Sequence, residues 1–149
     1  MADALGDRMK RQYEGRTRVM LPRRTYTIVR VDGKAFHTFT RGCQKPWDER
    51  LVAAMDHAAE MLCEEMQGAR LAYVQSDEIS VLLTDFTTIN TDAWFDGNLQ
   101  KIVSVAASIA TAAFNFYFTE EDSITTQAHF DARAFTIPDP VEVENYFIW

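Results

Sequence analysis

The stretch at residues 71–84 constrains the fold of this chain more than any other. Apolar and polar residues alternate on both sides of a short polar break that contains Asp77 and Glu78. Alternation with a period of two is typical of a half-buried β-strand, and two such runs around a short break predict a β-hairpin. We therefore expect strands at about residues 70–75 and 78–84, with the two acids at the tip of the hairpin.

A second predicted strand also ends in an acid. Residues 25–31 are rich in β-branched side chains, which are typical of strands, and run directly into Asp32 and Gly33. Acids in turns are often no more than solvated turn residues. If the ends of the two strands are neighbours, however, Asp32, Asp77 and Glu78 converge on one point.

Helical patterns fill the segments between the strands. Apolar residues recur at helical spacing from Leu51 to Met66, between a start signal at Asp48 and a stop at Gly68. The apolar stretch from Ile102 to Phe118 is interrupted by polar residues at 104, 108, 111 and 115 and is shorter than a membrane span of about 20 residues, so residues 99–117 are expected to form a buried helix. The other expected elements are a charged helix at about residues 3–14, a short helix around Trp94, a turn at residues 120–126 and a last strand at about residues 127–137.

The predicted order of elements is βαββαβ, the ferredoxin-like arrangement of an α+β fold. Because the chain has 149 residues, no repeat and no linker, we expect a single domain over residues 1–149. The first and third strands of this topology are antiparallel neighbours, which brings Asp32 next to Asp77 and Glu78. Helices with right-handed crossovers cover one face of the sheet, and the other face is left available for a ligand.

The charge is distributed unevenly along the chain. The formal net charge is −7, yet residues 1–50 hold 12 of the 15 Lys and Arg and only 6 of the 22 acids. Such asymmetry indicates a site for a polyanion on the N-terminal part. Arg8, Lys10 and Arg11 of the first helix are the candidates for RNA binding, and a solvated basic helix is the alternative.

The two cysteines, Cys43 and Cys63, do not form a disulfide framework, so reduced thiols in a cytoplasm are expected. No spacing among the cysteines and histidines fits a zinc site. The N-terminus lacks the apolar core of a signal peptide, and no membrane association is expected.

Clustered acids of this kind favour metal-dependent nucleotide chemistry. Close carboxylates repel, and a hard divalent ion such as Mg²⁺ offsets that repulsion while bridging to substrate phosphates. Gly33 would let the backbone approach a metal or a phosphate, and Lys34, Lys45 and Lys101 would neutralise phosphates. A carboxylate pair for glycoside hydrolysis is the alternative, but it needs acids that are further apart.

Four segments in order resemble the motifs of the tRNA-His guanylyltransferase family, closest to its bacterial and archaeal-type 3′–5′ polymerases. They are residues 30–39, 45–48, 73–78 and 130–133, and the resemblance covers about residues 7–149. It implies a palm domain that adds nucleotides to the 5′ end of tRNA. The 5′-monophosphate is first activated with ATP, and the 3′-hydroxyl of GTP or another NTP then attacks, so that pyrophosphate or AMP leaves.

The resemblance also implies roles for individual residues. Asp32 and Asp77 would hold two Mg²⁺ ions with the Gly33 carbonyl, and Glu78 would be a further catalytic acid. Adjacent side chains of a strand point opposite ways, so we expect Asp77 rather than Glu78 to face the metals. The nucleotide would contact Gly33, Lys34, Ala35, Phe36, His37, Lys45, Ser76 and Lys101. For the rings of Phe36 and Phe39 a place in the core is favoured over stacking on a base, and His37 capping a loop is an equal alternative to a phosphate contact. Asp131 and Arg133 belong to a motif whose role the sequence does not reveal, and Arg133 pairing with an acid is one alternative.

The family continues past Trp149 into a segment with triphosphate, subunit and tRNA contacts. The resemblance therefore implies that this chain lacks the family's C-terminal region, and that the homo-oligomer of the family, a tetramer, is weakened here. Two alternative functions stay open. One is another palm-domain nucleotide enzyme such as a cyclase, and the other is a non-catalytic nucleotide- or RNA-binding fragment.

Overall fold

The structure is a computed structural model that describes residues 3–118 and 127–149. In that part of the chain the strands are β1 (Tyr26–Gly33), β2 (Ala69–Gln75), β3 (Glu78–Thr84) and β4 (Phe130–Ile137). They form one antiparallel sheet in the order β2-β3-β1-β4, so β1 and β3 are neighbours as predicted. The α+β, ferredoxin-like architecture is confirmed, and the turn expected at residues 120–126 lies outside the described residues.

The helices are α1 (Ala4–Gln12), α2 (Phe36–Phe39), α3 (Glu49–Glu65), α4 (Leu99–Phe118) and α5 (Pro140–Ile148), with 3-10 turns at Glu14–Thr17, Thr40–Gly42 and Trp94–Gly97. Of these, α1, α3 and α4 begin and end close to the predicted positions. Asp48 starts α3 because its carboxylate accepts the N–H groups of Arg50 and Leu51. The N–H of Gln44, together with these two, holds the pKa of Asp48 below its usual value.

The larger core lies between one face of the sheet and the helices α3 and α4. Val29 and Val31 of β1 and Ile79 and Val81 of β3 are fully buried on this inner face. These residues alternate with polar ones along each strand, which is the period-two pattern that predicted the strands. The opposite side of the sheet, termed here the outer face, carries polar residues such as Arg30 and Ser80 and a smaller apolar cluster that includes Ile28 and Leu82.

The helix α4 is amphipathic rather than buried all round. By length and composition it is apolar enough to cross a membrane, with a mean hydropathy of 1.3. In the structure one face packs against α3 and the sheet, where Phe114 is fully buried, whereas Phe116 on the other side is 84% exposed. The predicted burial is therefore confirmed for one face of the helix.

The helix α5 was not predicted from the sequence, and it lies on the outer face. Asp139 accepts the N–H groups of Val141 and Glu142, and Pro140 occupies the first turn. An Asp followed by Pro is a start signal that was available in the sequence. Because Val143 packs against Ile28 and Leu82, α5 covers part of the face that was expected to be open.

The sheet has two ends that matter for function. The acid end is where β1 finishes at Gly33 and β3 begins at Glu78, and the opposite end is where β1 begins and β3 finishes. The N-terminal segment joins the fold at the opposite end, since Leu21 N–H donates to the Gly97 carbonyl and Leu99 N–H donates to the Val19 carbonyl. The helix α1 is therefore attached far from the acid end.

Candidate active site

Three acids form a row across the outer face of the sheet at its acid end. Asp32 on β1 pairs directly with Glu78 on β3 and with Asp131 on β4. Direct partners in an antiparallel sheet share a face, and neighbouring strands lie about 4.7–4.9 Å apart. The sheet thus holds three carboxylates side by side, termed here the acid row.

Asp77 lies in the turn between β2 and β3, beside the acid row. The Gly33 N–H donates to the Asp77 carbonyl at 2.9 Å. Because Gly33 and Asp77 share this bond, Asp32 and Glu78 form a non-hydrogen-bonded pair, whose Cα atoms are typically about 4.5 Å apart. The predicted convergence of the three acids is confirmed for the backbone. The expectation that Asp77 rather than Glu78 faces the metals stays a prediction, and it is Glu78 that shares the outer face with Asp32.

Two arginines lie one row below the acids. Arg30 and Arg133 are direct partners on β1 and β4. Arg30 Nε lies 3.6 Å from Glu78 Oε2, while Arg133 Nη1 lies 3.6 Å from Asp32 Oδ2 and 3.2 Å from Asp131 Oδ1. The two guanidinium groups offset repulsion within the acid row, since opposite charges at these distances attract.

The sequence analysis did not single out Arg30 as a functional residue. Its side chain is 20% exposed, and its Nε is buried without a hydrogen-bond partner among the described residues. A signal for it existed, because a residue two positions before Asp32 on a strand must lie on the same face. Arg30 is thus the less exposed of the two basic groups below the acids.

The loop after β1 is only partly available to a nucleotide. The Gly33 N–H is bonded to Asp77, and the Lys34 N–H donates to the His129 carbonyl at 2.8 Å. The Phe36 ring is buried against other aromatic rings, as expected for a core residue, so the ring is not available to a nucleotide. A contact through the backbone of Phe36 stays a prediction. A Cβ on Gly33 would lie 2.3 Å from the Phe36 ring, which gives the glycine a packing reason in addition to any ligand.

The other predicted phosphate contacts divide between the two ends of the sheet. The side chains of Lys34, His37 and Lys45 are exposed on the loops that connect β1 to α3, near the acid end, and Ser76 is exposed in the turn before Asp77. Ala35 in the same loop adopts a left-handed conformation, with φ 53°. These positions are compatible with contacts to one nucleotide.

Lys101 lies elsewhere in the chain. It stands in the first turn of α4, where its Nζ is 4.8 Å from the centre of the Phe95 ring. Phe114, which packs on the Phe36 ring at the acid end, follows along the same helix, roughly 20 Å away at 1.5 Å per residue. Within one chain, therefore, the structure does not bring Lys101 to the acids, in contrast to the sequence-based expectation.

The predicted RNA-binding residues are exposed on α1. None of the residues of this helix is buried, and Arg8, Lys10 and Arg11 are exposed. Lys10 and Arg11 line an open cleft of about 590 Å³ with Asp7, Gly15 and Arg18. The basic surface therefore exists on α1, whose connecting segment joins the fold at the end of the sheet opposite the acid row.

The donor atoms at the acid end suit a magnesium ion that is shared with a substrate. Carboxylate and carbonyl oxygens are the ligands that Mg²⁺ prefers, and the ion usually takes one or two carboxylates and completes its shell with phosphates and water. Among residues 3–118 and 127–149, no group of three or more His, Cys, Asp or Glu side chains could hold a metal by itself. The residues thus fit an ion that is bound together with a nucleotide.

Comparison with known proteins identifies the family. Residues 6–138 match the sequence profile of the family described as Thg1: tRNAHis guanylyltransferase. The chain belongs to the tRNA(His) guanylyltransferase family. One relative in this family is the tRNA(His) guanylyltransferase of Schizosaccharomyces pombe, which is 34% identical over 143 residues, or 93% of this chain and 52% of that protein.

Solved structures of bacterial tRNA(His) guanylyltransferase-like proteins share the fold. One, in complex with GTP, superposes with a TM-score of 0.92 and 49% identity, covering 99% of this chain and 69% of that one. Another, in complex with ATP, has a TM-score of 0.91 and 49% identity, covering 98% of this chain and 63% of that one. The chain spans about half the length of the curated tRNA(His) guanylyltransferases that it matches.

Proposed function

We propose that this chain is the palm domain of a magnesium-dependent nucleotidyltransferase that adds nucleotides to the 5′ end of tRNA. The direction of synthesis would be 3′–5′, as in tRNA 5′-end repair or guanylylation, after activation of the 5′-phosphate with ATP. The observation that carries the proposal is the pairing of Asp32 with Glu78 beside the Asp77 turn, in a member of the tRNA(His) guanylyltransferase family.

Asp32, Asp77 and the Gly33 carbonyl are the proposed ligands of two Mg²⁺ ions. When bound, these ions would stabilise the charge on the attacking and leaving oxygens of phosphoryl transfer. Glu78 shares the outer face with Asp32, and Arg30 lies beside it. The role of Glu78 would be to complete the negative surface that attracts the ions, and the role of Arg30 would be to keep Glu78 in place.

The loop between β1 and α3 would hold the triphosphate of the nucleotide. Lys34, His37 and Lys45 supply side-chain donors there, and Ser76 supplies a hydroxyl from the neighbouring turn. The first N–H groups of a helix have no partner within that helix, so Phe36 contributes its backbone N–H rather than its ring. Cations and N–H groups would orient the phosphates over the acids, which converts binding energy into correct positioning.

The exposed α1 would hold the tRNA backbone while its 5′ end lies at the acid row. The segment that carries α1 joins the fold at the end of the sheet opposite the acid row, and an eight-residue strand is about 27 Å long. An RNA helix is long enough to contact both α1 and the acid row.

We also propose that the protein is a homo-oligomer in the cytoplasm. In support of a reducing compartment, Cys43 and Cys63 are both free, and burial raises the pKa of each thiol.

A tRNA extension assay tests this function. The chain is incubated with a 5′-labelled tRNA that lacks its first nucleotide, ATP, GTP and Mg²⁺, and the products are separated by length. Extension by wild type but not by Asp32→Asn would support the proposal. Cyclic nucleotides without extension would indicate a cyclase, and GTP binding by calorimetry without any product would indicate a non-catalytic nucleotide-binding protein.

A further inference from the structure

Arg133 lies between two carboxylates of the acid row. Its Nη1 is 3.2 Å from Asp131 on the same strand and 3.6 Å from Asp32 on the neighbouring strand. Residues two apart on a strand share a face, so Asp131 and Arg133 form an acid–base pair that points at Asp32 from the side. The motif at residues 130–133, which the sequence singled out without a role, is the source of this pair.

The two arginines below the acid row are held differently. Arg30 is on the central strand β1, and its side chain is only 20% exposed. Arg133 is on the edge strand β4, and its side chain is 52% exposed. The Arg133 contact with Asp32 is too long for a hydrogen bond, and exposed ion pairs contribute little to stability. Arg133 can therefore leave Asp32 at low cost, whereas Arg30 is the less exposed of the two arginines and lies beside Glu78.

We propose that Arg133 is a stand-in cation that Asp32 shares with Asp131, and that it withdraws to Asp131 alone when a divalent ion binds at Asp32. This inference rests on the proposed magnesium site. Without the ion, the guanidinium offsets repulsion between Asp32 and its neighbours. With the ion, two positive charges compete for one carboxylate, and Asp131 supplies the second resting place. Arg133 and Asp131 are thus positioning residues that set the affinity of the site and do not bind the ion themselves.

The proposal predicts opposite effects for the two members of the pair. Arg133→Gln removes the competitor of the ion, so Asp32 should bind the ion about ten times more tightly. Asp131→Asn removes the second resting place, so Arg133 stays on Asp32 and binding should weaken about tenfold. Removing a positive or a negative charge near the site would by itself also tighten or weaken ion binding in this way. The double variant is therefore needed to distinguish movement of Arg133 from a purely electrostatic effect.

The double variant separates exchange from a simple field effect. If Arg133 moves between the two acids, Asp131→Asn should matter much less once Arg133 is already Gln, with a loss of about twofold instead of tenfold. Independent field effects would instead add, leaving the loss unchanged in both backgrounds. Arg133→Lys keeps the positive charge on a shorter side chain, so its affinity for the ion should lie between those of wild type and Arg133→Gln.

The experiment measures Mn²⁺ binding to the chain at a fixed GTP concentration by electron paramagnetic resonance, without tRNA and therefore without nucleotide transfer. The Mn²⁺ that GTP binds alone is measured in a protein-free sample and subtracted. Thermal unfolding of each variant without metal checks that it is folded. Arg16→Gln, which makes the same charge change in the 3-10 turn after α1, is the control and should bind like wild type. If Arg133→Gln does not fold, Arg133→Lys and Asp131→Asn still carry the comparison.

The outcomes distinguish this inference from the proposed function. Tighter binding in Arg133→Gln, together with a non-additive double variant, is the result expected. Two results would overturn the exchange: an unchanged affinity of Arg133→Gln for Mn²⁺, or effects of the two substitutions that add strictly in the double variant. The metal site itself would still stand if Asp32→Asn abolishes Mn²⁺ binding. Equal Mn²⁺ binding by wild type and Asp32→Asn, or none by either, would overturn the metal site and the exchange together.

Discussion

Asp32 and Glu78 are direct cross-strand partners at the point where β1 ends and β3 begins. Like charges placed directly opposite each other destabilise a sheet. The structure offsets this repulsion with Arg133 on one side and Arg30 on the other. The arrangement favours function over stability. A protein that bound no cation at this point would become more stable if one of the two acids were replaced by a neutral residue.

The first prediction concerns Asp32. Asp32→Asn should reduce the extension of tRNA by at least about 10²–10³-fold, the range typical for loss of one preorganised electrostatic group in an active site. The same change removes a repelling charge, so the midpoint of thermal unfolding without metal should stay the same or rise. Glu142→Gln, in the first turn of α5, is the control for activity. A variant that loses activity because it unfolds would contradict this prediction.

The second prediction concerns Gly33. A methyl group at this position would meet the buried Phe36 ring at 2.3 Å, so Gly33→Ala should lower the free energy of unfolding by about 1–3 kcal/mol, the range for an overpacked core. GTP binding should weaken as the loop shifts. Gly42→Ala is the matched control, because nothing lies within 4 Å of its Cβ position, and its effect should stay within about 0.5 kcal/mol. Chemical denaturation measures both.

The third prediction concerns pH. Burial alone would raise the pKa of Asp85, but the Arg24 N–H at 2.9 Å and the Arg23 Nε at 2.7 Å bind its ionised form and hold the pKa below its usual value. A lowered folded-state pKa stabilises the fold above the unfolded pKa of about 3.9, and this contribution is lost as the pH falls below that value.

Asp85→Asn should therefore lower the thermal midpoint at neutral pH, and its midpoint should fall less than that of wild type between about pH 5 and pH 3. Calorimetry across this range checks the prediction. Asp92→Asn serves as the control, since its side chain is 81% exposed and lies 3.6 Å from the same arginine. Parallel pH curves for wild type and Asp85→Asn would show that Asp85 makes no such contribution.

The fourth prediction concerns RNA. If Arg8, Lys10 and Arg11 contact phosphates, replacing all three with Ala should reduce the slope of log affinity against log salt by about 2–3, because each neutralised phosphate contributes about 0.7–0.9. The variant with Arg8→Lys, Lys10→Arg and Arg11→Lys keeps the charges and should keep the slope. Filter binding of tRNA at several salt concentrations measures this, and an unchanged slope in the Ala variant would exclude α1 as an RNA surface.

Local pattern predicted much of the fold. The alternation around Asp77 and Glu78 predicted the hairpin, and the helical spacing after Asp48 predicted α3, since both signals arise from neighbouring residues and one buried face. The start signal at Asp139 was present but not interpreted, so α5 and its cover over the outer face were missed. The family resemblance, carried by four ordered motifs, is confirmed by the profile match.

The sequence by itself determined the order of elements, the approach of Asp32 to Asp77 and Glu78, and the family, because each follows from periodicity, topology or ordered motifs. Only the tertiary structure decided which neighbours each charge has. Lys101 shares its chain with the acids but lies at the far end of α4, and Arg133 is distant in sequence yet contacts Asp32. The physical reason is that strand register brings together side chains that are far apart in sequence, and helix length separates others. Neither effect can be recognised from the residues next to each side chain in the sequence.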